Sequence, residues 1–239
     1  MSTLVIGASG AIGRACIKAL GDERAVVAAD LQKPDVGNAH SVSLDVTNQS
    51  QVDSVLRELD REEQITGLIY AAGLNTTGLL NTIDWKEYEA VMSVNLRGAF
   101  HVGSSIISLI HKSPRMFNSV FISSTAGLVG EAGGSIYCAS KFGLIGFTQS
   151  FAGELAPLNG RANVVCPGNV DSPMLTELAA RIGAREGKSG EQTLKQWSDS
   201  SAIKRLITPE EVAKTCIWLL SDNSSGVSGQ TIVVDGPRA

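Results

Sequence analysis

Tyr137 and Lys141 stand four residues apart, so on a helix the phenol and the ammonium would share one face, one turn between them. A phenol ordinarily titrates near ~10 and is almost wholly neutral at pH 7. A neighbouring cation favours its charged form and can lower an acid by roughly 1–3 units. A pair so placed can accept a proton from a hydroxyl. The same spacing also occurs in helices that simply carry a half-buried tyrosine and a solvated lysine. The surrounding elements decide between the two.

Thr3-Leu4-Val5-Ile6 reads as a buried strand, followed by Gly7-Ala8-Ser9-Gly10-Ala11-Ile12-Gly13 and a helical pattern that stops at Gly21. Strand, glycine turn and helix N-terminus together make a phosphate cradle, because small residues admit the anion to free backbone amides. Gly7, Ser9, Gly10, Ala11, Ile12 and Gly13 are therefore expected to hold a dinucleotide. The second strand, Ala25 to Ala29, ends at Asp30-Leu31. A carboxylate there accepts from a ribose diol and repels a 2′-phosphate, which favours NAD over NADP. A third strand near Ser41–Leu44 leads to Asp45-Val46, where Asp45 either faces an adenine or caps the next helix. Ile65 to Tyr70 forms a fourth strand, and Ala71, Ala72 and Gly73 after it leave room for a ribose and a nicotinamide.

Asp84 as cap, with Glu87 reaching back, starts a helix expected to run from about Tyr88 to His111. That helix carries Asn95, and His101 as a packing residue. A fifth strand, Met116 to Ile122, delivers Ser123 and Ser124 to its C-terminal edge, where parallel sheets bind ligands. Ser123 reads as a backbone-bonding serine. No His/Asp pair accompanies Ser124, which argues against a serine-nucleophile triad. Val164-Val165-Cys166 is a sixth strand and Gln230 to Val234 the last, after a helix opened by Thr208-Pro209-Glu210-Glu211. Between them, residues 173–205 read as a helical insertion broken by glycines: a substrate lid or a solvated helical pair. The sum is an α/β chain, a doubly wound parallel sheet of about seven strands in the order 3-2-1-4-5-6-7, with helices on both faces as three αβα layers. It is expected to form a single domain over residues 1–239.

Composition excludes several classes. Among 239 residues, 43% are hydrophobic and the net charge is −4, with no basic block to suit a nucleic acid. No apolar run reaches the ~18–20 residues of a membrane span, and no basic leader precedes the first strand. Cys16, Cys138, Cys166 and Cys216 lie far apart, as in a reduced cytoplasmic protein, and His40, His101 and His111 lack metal-ligand spacing.

Taken together, these motifs resemble the short-chain dehydrogenase/reductase family in its compact single-domain branch. The resemblance rests on the Gly7–Gly13 turn, Asp45-Val46, Ala71-Ala72-Gly73, Asn95-Leu96-Arg97-Gly98, Ser123-Ser124, Tyr137-x-x-x-Lys141 and Pro167-Gly168-Asn169-Val170-Asp171-Ser172, in that order. Two departures stand out. The glycines fall as G-x-x-G-x-x-G, with Ala11 at the family's middle glycine, a spacing more like the extended branch. Tyr70-Ala71-Ala72-Gly73 replaces the usual Asn-Asn-Ala-Gly.

The resemblance implies a catalytic set of Asn95, Ser124, Tyr137 and Lys141. Tyr137 would exchange the proton and Ser124 bind the substrate oxygen. Lys141 would lower the tyrosine's pKa and hold the nicotinamide ribose, and Asn95 would hold a water linking Lys141 to solvent. Pro167, Gly168, Val170 and Ser172 would lock the nicotinamide amide. It also implies a homo-oligomer, a tetramer or a dimer. Asn75, Glu131, Ser135 and Asn169 are candidate substrate-facing groups that suit a polyhydroxylated small molecule. The expected activity is NAD-dependent interconversion of a secondary alcohol and a ketone, with a polyol or sugar-derived substrate suggested by the resemblance of the lid region. The alternatives are a 3-oxoacyl reductase and a non-catalytic dinucleotide sensor.

Overall fold

Residues 2–21 and 25–237 are described by the structure, a computed structural model. Seven strands, Ser2–Ile6 (β1), Ala25–Asp30 (β2), His40–Ser43 (β3), Ile65–Tyr70 (β4), Phe117–Ile122 (β5), Gly160–Pro167 (β6) and Thr231–Val234 (β7), pair in parallel. Their order is β3-β2-β1-β4-β5-β6-β7, as the sequence pattern predicts. The middle strands are buried on both faces, so they read as mostly apolar rather than alternating, with Asn118 and Ser119 of β5 buried among them.

Successive side chains still part to opposite faces. Leu4 and Ile6 enter one core with Leu56, Ile106, Leu144 and Phe151, contributed by the helices Gln49–Glu63 (α2), Gly98–Lys112 (α4) and Ser135–Leu155 (α5). Val5 enters the other, against Cys16, Val212 and Cys216 from the helices Ala11–Leu20 (α1) and Pro209–Leu220 (α8). Strand order reverses between β1 and β4. A crevice opens there at the strands' C-terminal ends, the usual ligand position in such sheets.

The expected long helix is in fact three pieces. Trp85–Met92 (α3) passes through a π-turn, Ser93–Arg97, before α4 begins. Asp84 accepts from Lys86 N as the cap, but Glu87 does not reach back. Its carboxylate instead takes the Thr76 hydroxyl and the Arg181 guanidinium, a tertiary contact that outcompetes the local box. Asn48, not Asp45, caps α2 through Gln51 N. The box at Thr208 and Glu211 forms as expected, with Arg205 bidentate on the same carboxylate. Residues 173–205 fold as two packed helices, Pro173–Glu186 (α6) and Gly190–Ser200 (α7).

Candidate active site

Gly7 closes the end of β1 at φ +83°, where a Cβ would stand 2.5 Å from Ala72 N. One on Gly13 would stand 2.2 Å from Gly7 O. Side chains are therefore excluded where β1, β4 and α1 converge, and no side chain caps the first amides of α1. Those amides face a trough lined by Gly7, Ser9, Gly10, Ala11, Ile12, Gly13, Asp30, Leu31, Asp45, Val46, Ala71, Ala72 and Gly73. A cradle shaped by absent side chains fits a pyrophosphate.

Asp30 lies at one end of this trough. Its Oδ2 accepts from Ser9 N and its Oδ1 from Leu31 N, both at 2.8 Å. Two backbone donors fix the carboxylate and leave further lone pairs for a ligand. Arg14, the nearest cation on α1, has Nε and Nη1 on the carbonyls of Ser9 and Asp35. Asp45 Oδ1 takes both the amide and the hydroxyl of Thr47, which holds the turn after β3.

A second cleft joins the trough along Ile12, Ala71, Gly73, Val170, Ser172 and Met174. It brings together Ser124, Tyr137, Lys141, Pro167 and Gly168, with Asn75, Glu131 and Asn169 on its walls. Ser135 is elsewhere. It is exposed and lines an adjoining hollow with Thr77, Arg181 and Arg185, because residues two apart on a helix point to opposite sides. Ser123 donates to Lys141 O at 2.9 Å, a backbone role as expected. Ser172 accepts from Leu175 N and donates to Val170 O, so its hydroxyl already caps α6. His101 bonds Val46 O, the packing role foreseen for it.

Asn95 is fully buried behind the cleft wall. Its Oδ1 accepts from Leu74 N at 2.7 Å, and its Nδ2 donates to Leu74 O and Ser140 Oγ. The side chain thus clamps the loop after β4. A Cβ on Gly73 would stand 3.4 Å from Lys141 Nζ and 3.5 Å from Asn95 Oδ1, so the two side chains flank this residue at contact distance.

The electrostatics correct one expectation. Burial pushes the Tyr137 phenol up to about 12, the facing Ser124 hydroxyl pulls it down, and the charges of Cys138 and Glu131 add to the rise. Burial also lowers the Lys141 ammonium to about 8. In this ligand-free state burial outweighs the neighbours that would depress the phenol. Lys141 Nζ donates to Ile122 O at 2.9 Å and stands 5.6 Å from the Tyr137 ring centroid, over the ring rather than at the oxygen.

Comparison with known proteins decides the family. A family model described as enoyl-(acyl carrier protein) reductase matches residues 7–236. A 3-oxoacyl-[acyl-carrier-protein] reductase of Thermotoga maritima is 33% identical over 98% of this chain and 95% of its own. Dehydrogenase/reductase SDR family member 6 of Xenopus laevis is also 33% identical, covering 94% and 91%. The chain belongs to the short-chain dehydrogenase/reductase family. Among solved structures it is similar to the aldohexose dehydrogenase of Thermoplasma acidophilum, with TM-score 0.89 and 29% identity over 98% of this chain and 92% of that one.

As a member of this family of oxidoreductases, the chain builds one cleft wall that the sequence reading missed. Met174, Leu175, Leu178 and Ile182 of α6 form an apolar ceiling over the cleft. The recurrence of Met174, Leu178 and Ile182 every four residues, with Leu175 three before Leu178, is the signal that could have revealed it. Thr76 and Thr77, between this cleft and the neighbouring hollow, carried no such signal. Among the described residues no His/Cys/Asp/Glu group could hold a metal, and no helix is long and apolar enough to cross a membrane.

Proposed function

We propose that this chain interconverts a secondary alcohol and a ketone with NAD(H). The observation that carries the reading is continuity: the cleft of Ser124, Tyr137 and Lys141 opens along Ile12, Ala71 and Gly73 into a trough that also holds Asp30. Ser124 orients the substrate oxygen. Tyr137 accepts its proton in oxidation and returns one in reduction. Lys141, fixed by Ile122 O, presents its remaining donors towards the ribose position beside Gly73. The dinucleotide, when bound, supplies hydride transfer, and its oxidised ring brings the positive charge that favours a phenolate.

The substrate is a small polar alcohol with an apolar portion. Glu131, Asn75 and Asn169 offer hydrogen bonds to hydroxyl groups, and similarity to an aldohexose dehydrogenase supports a sugar-derived substrate. The apolar ceiling of α6 favours a second reading, a 3-oxoacyl reductase, supported by the Thermotoga relative. The helices α6 and α7 act as a lid, tied down by Arg181 on Glu87 and Arg185 on Thr77. Trp85, Phe100 and Phe142 are exposed on α3, α4 and α5 and support a homo-oligomer built on those helices.

The experiment is a panel of polyols, aldoses and 3-oxoacyl thioesters assayed by cofactor absorbance with NAD(H) and NADP(H). Turnover of a hydroxylated substrate with NAD is expected. Selective turnover of acyl thioesters supports the second reading, and tight NAD binding without any turnover supports a sensor.

A further inference from the structure

Tyr70 closes β4, directly before the Ala71-Ala72-Gly73 turn. Its ring is fully buried at the end of β4, 5.8 Å from that of Phe121. Its Oη donates to Val94 O at 2.6 Å. In a regular α-helix that carbonyl would accept from Gly98 N–H, four residues on. Here Gly98 N–H bonds Ser93 O instead, the i→i+5 pattern of a π-turn. Val94 O has lost its helical donor and the phenol supplies another. Gly98 is part of the same arrangement, since a Cβ there would stand 2.5 Å from Tyr70 Oη and 2.8 Å from Val46 Cγ2.

Asn95 follows Val94 directly and makes the clamp on Leu74 and Ser140. A one-residue change of helical register would turn it by ~100° and break every one of those bonds. We propose that Tyr70 is a positioning residue: it holds the carbonyl freed by the π-turn and so fixes the register in which Asn95 supports the loop before Leu74 and the setting of Lys141. The inference rests on the oxidoreductase reading of this site.

Tyr70→Phe tests it, because the ring is kept and only the hydroxyl is lost. The expected result is a fall in kcat of about tenfold or more with the NAD dissociation constant within about twofold. Amide exchange should quicken in residues 93–98 and stay unchanged in α8. In an Asn95→Ala background the same substitution should cost less than about twofold, since it acts through a group already removed. Wild-type kcat in Tyr70→Phe, unchanged exchange at 93–98, or equal losses in both backgrounds would overturn the proposal. Should Tyr70→Phe fold poorly, Gly98→Ala, which crowds the hydroxyl, must lower kcat and quicken exchange at 93–98; an unaffected kcat overturns it equally. A wild type inert across the whole panel sinks the activity reading instead, and exchange at 93–98 then still tells whether Tyr70 holds the turn.

Discussion

Lys141 Nζ is held 2.9 Å from Ile122 O, at the end of β5, and not at the Tyr137 oxygen one helical turn away. Four-residue spacing put the two groups on one face, but a strand-end carbonyl claimed the ammonium. The ligand-free phenol is raised to about 12 by burial, so nearly all of it is neutral at pH 7. On the proposed mechanism, ionising it would fall largely to the charge of the oxidised cofactor.

Alcohol oxidation needs the phenolate and ketone reduction needs the phenol. With saturating NAD, kcat for oxidation should rise with pH at a slope of about one from neutrality and level off well below the ligand-free value. Reduction should fall over the same window. Steady-state profiles in both directions check this, and an oxidation rate independent of pH from about 6 to 10 would contradict it.

Lys141 carries a stability signature of its own. Burial lowers it from 10.5 to about 8, so the native state pays for the charged form below about 8. Between these values the unfolded chain binds more protons, and native stability gains as pH rises through the window. Relative to Lys141→Met, the wild type should gain about 1–3 kcal/mol between pH 8 and 10.5, read from urea midpoints. A difference independent of pH would show that the ammonium is solvated.

Asp30 should set cofactor choice. Asp30→Ser removes the charge that would face a 2′-phosphate while leaving Gly7 and Gly13 intact. The ratio of kcat/KM for NADP over NAD is expected to rise about tenfold or more. An unchanged ratio would show that discrimination lies elsewhere, for example at Arg14.

Leu178 separates the substrate readings. If the α6 ceiling binds an acyl portion, Leu178→Ala should raise KM for a 3-oxoacyl thioester about tenfold and leave a small polyol within about twofold, in line with 1–3 kcal/mol for a lost apolar contact. Equal effects on both would assign the ceiling to lid packing alone.

Much of this fold was legible because its central strands are short, apolar and bounded by glycine turns. Ser2–Ile6 and Ile65–Tyr70 fall within a residue of where the pattern puts them. β6 was read too short. It begins at Gly160, and its polar Arg161 and Asn163 are satisfied by carbonyls of Leu219, Ser221 and Val227 that a local pattern cannot see. The π-turn was missed for a similar reason, since its donor, Tyr70, lies on another element. Motif order placed Ser124, Tyr137 and Lys141 in one cleft. Direction within a helix misplaced Ser135, and the fate of each hydrogen bond, at Lys141, Glu87 and Ser172, required the folded chain.

The most direct measurement is Tyr137→Phe, with turnover and NAD affinity determined on the same preparation. Loss of at least about a thousandfold in kcat with an unchanged NAD dissociation constant is the expected result. Turnover near that of the wild type would show that another group handles the proton.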